Sequence, residues 1–210
     1  VRADDARLVC WGTRPLLESD ADRPVAVASD DPAFPSRRFT DVRLAAWTAC
    51  ASSTSGELWC WGEGGRGQLG RGAAGDDAQA ARVEGLPDDD PVATFDVSAG
   101  HACAVTESGR LYCWGDNAWG QLGTGAAGAD ETSAVAVDPE LLPAVERVFA
   151  RSEYHTCALT ALDDGGDLYC FGFNRQGELG EGRGRGPRPE IALDASNVAD
   201  AWLSGRTLCV

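Results

Sequence analysis

Apolar and polar positions along the chain change on a short scale. Runs of four to six residues such as "TDVRLA" (from Thr40), "ATFDVS" (from Ala93), "VERVFA" (from Val145) and "VADAWL" (from Val198) alternate imperfectly. Pro, Gly and Asp bound them, the signature of strands between turns. A second set is "RPVAVA" (from Arg23), "AARVEG" (from Ala80), "SAVAVD" (from Ser133) and "PEIALD" (from Pro189). No segment keeps a helical period over three turns; "DPELLPAVERVF" comes nearest, and Pro143 interrupts it. The pattern predicts an all-β chain.

The cysteines show that these runs belong to a repeat. Cys10, Cys60, Cys113 and Cys170 step by 50, 53 and 57 residues, each followed by an aromatic residue and a glycine. Cys50, Cys103, Cys157 and Cys209 step by 53, 54 and 52. Adding the cysteine-bearing segments gives four short strands per unit, the pattern of a propeller blade. A blade is stable only between neighbours. The chain therefore reads as a β-propeller domain, residues 1–210, of four repeats of about 1–51, 52–104, 105–158 and 159–210. Each supplies one four-stranded blade, and the N- and C-terminal strands pair to close the ring. The alternative is an excerpt of a longer propeller.

With Cys103 opposite Cys113 on antiparallel strands, Val105 faces Leu111 and Ala104 faces Tyr112. The turn left over is Glu107-Ser108-Gly109, a three-residue hairpin with glycine in the left-handed place. The same register opposes Cys50 to Cys60 and, with a longer turn, Cys157 to Cys170. Opposed positions lie within disulfide range. The fourth pair, Cys10–Cys209, would lock the chain ends together. Zinc sites use much shorter cysteine spacings, and free thiols are the other reading of the same residues. Disulfides predict an oxidising compartment: secreted, periplasmic or cell surface.

"AGHACAVTESGRLYCWGDNAWGQLGTG" resembles the repeat of the regulator of chromosome condensation family, as do "SGELWCWGEGGRGQLGRG" and "YHTCALTALDDGGDLYCFGFNRQGELGEG". The resemblance implies a β-propeller, usually of seven blades, so the alternative to a closed four-bladed ring is an excerpt of a seven-bladed propeller. The cysteine-bearing version is similar to a secreted bacterial branch of such repeats, whose members bind proteins and include inhibitors of β-lactamases. The first unit departs from the motif: "WGTRPLLESDADRP" stands where Gly-Gln-Leu-Gly is expected.

The chain carries 33 acidic and 18 basic side chains, a net charge of −15, and every basic residue is arginine. That balance opposes a sequence-independent grip on nucleic acid and attraction to anionic membrane surfaces. No apolar run approaches the ~20 residues of a membrane span. The glycine-rich runs lack the Lys-Ser/Thr of a phosphate loop. The two histidines have no partnered nucleophile. No enzyme activity, cofactor or metal is expected.

Candidate contact residues are those that break the repeat. Trp47 and Tyr154 stand where other units have Gly100 and Arg206. Trp119 stands where they have Arg66 and Gln176. Large aromatics at loop-adjacent places mark a contact surface, with packing against a neighbouring loop as the alternative. Arg151 and Arg206 join this set. By contrast, Trp11, Trp61, Trp114 and Phe171 recur in register and should pack between blades. The resulting expectation is a non-enzymatic extracellular or cell-surface propeller that binds a protein partner. A structural subunit of a surface appendage or larger assembly is the alternative, and a secreted enzyme inhibitor ranks lower.

Overall fold

The computed structural model describes residues 8–12, 21–150, 152–160, 166–175, 177–179, 188–193, 202–204 and 207–209. Sixteen strands and one 3-10 turn (Phe34–Ser36) occur among them. Three antiparallel four-stranded meanders form the body. The first is β3 (Phe39–Ala45), β4 (Thr48–Ser53), β5 (Leu58–Gly62) and β6 (Asp77–Arg82). The second is β7 (Val92–Val97), β8 (His101–Thr106), β9 (Leu111–Gly115) and β10 (Glu131–Ala136). The third is β11 (Val145–Phe149), β12 (His155–Thr160), β13 (Leu168–Gly172) and β14 (Glu190–Leu193). Two-stranded sheets flank them: β1 (Val9–Gly12) with β2 (Ala21–Ala26), and β15 (Trp202–Ser204) with β16 (Thr207–Cys209).

The hairpin register follows the cysteines. Cys50 faces Cys60, Cys103 faces Cys113 and Cys157 faces Cys170. Each pair is disulfide-bonded, with Cα atoms 4.1 Å apart. Gly56 and Gly109 hold the left-handed turn position, at φ +76° and +82°. The predicted fourth strands start two or three residues earlier than "AARVEG" and "SAVAVD" suggest. The pairing of β5 with β6 and of β9 with β10 shifts register along its length. Such irregularities blur the period-2 pattern.

Neighbouring sheets bury one another. All six residues of β4, of β8 and of β12 are buried, because a middle strand has a blade on each face. Across sheets the first and second strands approach most: β3 and β4 meet β7, and β7 and β8 meet β11. The first strands therefore lie on the side where neighbouring sheets converge.

The Gly-Gln-Leu-Gly loops form the seams. Leu69 and Leu122 are buried core. The preceding glutamines are buried too and reach the next sheet. Gln68 Nε2 donates to the Ala99 carbonyl (3.1 Å), and Gln121 Nε2 to the Glu153 carbonyl (3.2 Å). Each Oε1 accepts a backbone N–H of its own loop, from Arg66 and Trp119 respectively. Trp114 Nε1 donates back to the Gln68 carbonyl at 2.9 Å.

The ends depart from expectation. β1 pairs with β2 and β16 with β15, and among the described residues no strand joins β1 to β16. Cys10 carries a free thiol, so the Cys10–Cys209 closure is not formed. Trp11, expected between blades, is 60% exposed, whereas Trp61, Trp114 and Phe171 are fully buried. The reason is local: Trp114 and Phe171 each lie under the last glycine of the preceding sheet's loop, and no described residue supplies that loop to Trp11.

Candidate functional site

The turns between first and second strands and the loops after the third strands share one end of the sheets. Corresponding hydrogen bonds fix this end. Glu63, Asp116 and Phe173 each donate a backbone N–H to the carbonyl of Trp47, Gly100 and Tyr154, at 2.8, 2.9 and 2.8 Å. Trp47 and Tyr154 thus hold equivalent positions two blades apart.

Between them the seam is built in two chemistries. Arg66 reaches from the first loop to the next sheet and pairs with Asp116, beside Gly100, where a Cβ would stand 3.7 Å from Arg66 Cδ. One blade on, Trp119 replaces Arg66 and Phe173 replaces Asp116. Trp119 meets Phe173 edge-on with centroids 4.9 Å apart, and Tyr154 lies 6.0 Å from the same ring. The Arg175 guanidinium sits 5.2 Å from the Trp119 ring centre, within cation–π range. An ion pair at one seam is an aromatic cluster at the next.

The structure therefore brings Trp119 and Tyr154 together and adds Phe173 and Arg175, which sequence reasoning missed. Comparing Glu63, Asp116 and Phe173 in register would have exposed Phe173 as the odd member. Trp47 stays apart in its own turn at 49% exposure, and Trp119 keeps 36%. Local packing and solvent exposure coexist at Trp119. Arg151 and Arg206 lie outside the described residues.

An open groove of about 720 Å³ runs beside these turns, along β3 and β7. Asp41, Arg43, Leu44, Asp96 and Glu153 line it. Arg43 is held by Asp41 at 2.9 Å, and Asp96 accepts the Ala150 N–H at 3.0 Å. Leu44 and Glu153 are exposed.

Behind this surface lie the histidines. His101 Nδ1 meets Ser98 Oγ at 2.9 Å, and Nε2 meets Thr156 Oγ1 at 2.8 Å. The single Thr156 proton goes to the Gln121 carbonyl. Thr156 therefore accepts from His101, and Nε2 carries the ring proton. Burial drives the His101 pKa down to about 3 and that of His155 down to about 4, against the opposing pull of Glu178. Both are neutral structural groups. Among the described residues no three His, Cys, Asp or Glu side chains gather where a metal ion could be held.

Comparison with known proteins follows the same repeats. The family model described as "Regulator of chromosome condensation (RCC1) repeat" matches residues 55–105 and 108–159, and a second model of that description matches 92–121. Each longer match runs from a hairpin turn through the last two strands of one sheet and the first two of the next. The Cys103–Cys113 disulfide thus joins consecutive repeats. Human E3 ubiquitin-protein ligase HERC2 is 28% identical over 214 residues, spanning 99% of this chain and 4% of HERC2. A Danio rerio protein RCC2 homolog is 34% identical over 128 residues, 61% of this chain and 25% of the relative. Among solved structures, human WBSCR16 superposes with TM-score 0.72 at 20% identity, over 90% of this chain and 49% of that one. Prp20p of Saccharomyces cerevisiae gives 0.72 at 16%, over 98% and 51%. The chain thus spans about half of these solved propellers and a quarter or less of these two curated relatives.

These comparisons correct the compartment expected from the cysteines. HERC2, RCC2 and Prp20p are nuclear or cytosolic proteins. The cross-strand pairs follow from hairpin register and do not make this a secreted chain.

Proposed function

Because the chain belongs to the regulator of chromosome condensation repeat family, we propose that it is a non-enzymatic β-propeller module that binds a protein partner through the turn face carrying Trp47, Trp119 and Tyr154. The observation behind this is the seam at Trp119. There, the ion pair of the neighbouring blade gives way to an aromatic cluster that remains partly exposed beside an open groove. Tryptophan, tyrosine and arginine supply most binding hot spots. The exposed Leu44 and Glu153 in the groove, with a net charge of −15, suit a partner segment that is basic with apolar side chains. The solved Prp20p is described with binding properties toward Gsp1p and histones, and another structure shows Kap60 bound to yeast RCC1 (Prp20). A protein ligand for this chain is in keeping with those two cases.

A photo-reactive side chain placed at position 47 or 119 should cross-link protein partners in cell extract. The same group at Glu107, on the opposite turns, should not. Equal labelling from all three positions would refute the assignment of this face.

A further inference from the structure

Ala46, Ala99 and Glu153 hold one position of three successive repeats. Gln68 donates to the Ala99 carbonyl and Gln121 to the Glu153 carbonyl. Ala46 precedes Trp47 as Ala99 precedes Gly100 and Glu153 precedes Tyr154, the three residues whose carbonyls accept from the loops after the third strands. All three turns open on the groove beside β3 and β7. Two of them offer it a methyl group and the third a carboxylate. The seam between sheets uses only the Glu153 main chain, and the turn itself is fixed by the Tyr154 N–H donating to Ser152 Oγ at 3.2 Å. The Glu153 side chain is exposed, and among the described residues no arginine or histidine pairs with it. Holding the fold together therefore does not account for an acid at this position.

The groove has the size of a ligand pocket, about 720 Å³. Its charged lining is three carboxylates, Asp41, Asp96 and Glu153, against one guanidinium, Arg43. Asp41 already holds Arg43 at 2.9 Å. Asp96 is 5% exposed and accepts the Ala150 N–H at 3.0 Å. Glu153 is the exposed acid left to meet a cation from outside. Val42, Ala45 and Val97 supply apolar wall between these charges. Ala46 is the one non-glycine residue with positive φ among the described residues, at +47°. That conformation is unfavourable for a residue with a Cβ, and such strain gathers where a surface is shaped for a ligand.

We propose that this groove seats an extended segment of the partner that presents an arginine, and that the guanidinium pairs with Glu153. This rests on the turn face being the partner-binding surface and narrows what that face selects. Charge complementarity carries it: the groove's excess of carboxylates draws a cation, and Glu153 is the point where one can pair. Arginine suits the place better than lysine. Its planar, weakly hydrated head can lie along apolar wall and still present two parallel N–H groups to a carboxylate. Because the equivalent positions are Ala46 and Ala99, the groove has a single anchor of this kind, which sets the register of the bound segment. Tyr154, the next residue, belongs to the aromatic cluster with Phe173 and Trp119, so a segment anchored at Glu153 continues onto that cluster.

The test is a titration of the 15N-labelled 210-residue protein with end-blocked Ala-Val-Arg-Val-Ala, and with the same peptide carrying citrulline or glutamate in place of arginine. Amide shifts of Ala46, Ala99 and Glu153 report the groove. The arginine peptide should shift these amides and bind about fivefold more tightly than its neutral citrulline counterpart, the upper end for an exposed ion pair. Added salt should erase that difference. Glu153→Gln should also erase it, and Glu153→Arg should reverse it in favour of the glutamate peptide. Glu107→Gln, on the opposite turns, should leave the preference unchanged. Equal binding of the arginine and citrulline peptides would overturn the proposal, as would a preference that survives Glu153→Gln or an absence of groove shifts at about 10 mM peptide. Cross-linking from positions 47 and 119 separates this from the reading beneath it. If those positions still capture partners while the peptides show no arginine preference, the face stands and the arginine falls; if both fail, the face falls with it.

Discussion

Gly70 lies against the indole of Trp114, one blade on, so closely that a Cβ there would stand 2.9 Å from Nε1 and 2.8 Å from Val83 Cγ1. Gly123 and Phe171 repeat the relationship. The loop glycine is needed twice over, for a φ near +70° and for the absence of a side chain where the next blade's aromatic ring packs.

Gly123→Ala should therefore destabilise the fold by roughly 2 kcal/mol or more, from overpacking plus left-handed strain. Gly65→Ala meets no heavy atom within 4 Å and should stay within about 0.5 kcal/mol of the parent. Urea unfolding followed by circular dichroism compares the two.

Gln121→Leu keeps the side chain's approximate bulk but removes the amide that holds the Trp119 N–H and the Glu153 carbonyl. Leaving those groups unpaired should cost about 1–3 kcal/mol. If the amide is the cause, Gln121→Glu should cost at least as much as Gln121→Leu, because at this fully buried position a carboxylate oxygen would replace the donor and face the Glu153 carbonyl; calorimetry compares the two.

Trp47→Ala and Trp119→Ala should separate. Trp47 is half exposed and has no ring partner among the described residues, so its loss should leave the melting temperature nearly unchanged. Trp119 also closes a seam, and its loss should remove about 1 kcal/mol of aromatic pairing. Titration with a cross-linked partner, once identified, should show each change costing on the order of 1 kcal/mol or more in affinity.

Acid should weaken the fold through the histidines. An unfolded histidine titrates near pH 6.5, while His101 and His155 are held down to about 3 and about 4. Between these limits the unfolded chain binds protons that the folded chain refuses. Their contribution is thus complete above pH ~6.5 and is lost as pH falls toward the folded values. The slope reaches ~1.4 kcal/mol per pH unit for each histidine. His101→Gln should flatten the stability profile between about pH 6 and pH 4, measured by urea unfolding at each pH.

The blade and its register were legible because the cysteines are a ruler: Cys103 opposite Cys113 fixes every other pair in that hairpin. The closing Cys10–Cys209 pair was not: repeat register says which strand types are neighbours in a blade, but not that β1 and β16 meet. Trp11 misled for the same reason, because its repeat position predicts burial and only a neighbouring loop provides it. At the candidate site, Trp119 and Tyr154 stood out as breaks in the repeat. Phe173 and Arg175 did not, because their significance lies in a seam between sheets, and Phe173 follows a Phe-Gly pair that reads as core.

The central claim is that partners bind the turn face, and one comparison tests it most directly. Three forms of the protein are used as bait in the same extract, with retained proteins quantified by mass spectrometry. They are the parent, a face variant (Trp47→Ala, Trp119→Ala, Glu153→Gln) and an opposite-end variant (Thr54→Glu, Glu107→Arg). The account predicts a set of proteins held equally by the parent and the opposite-end variant, and depleted at least tenfold from the face variant. Proteins retained by the face variant and lost from the opposite-end variant would contradict it.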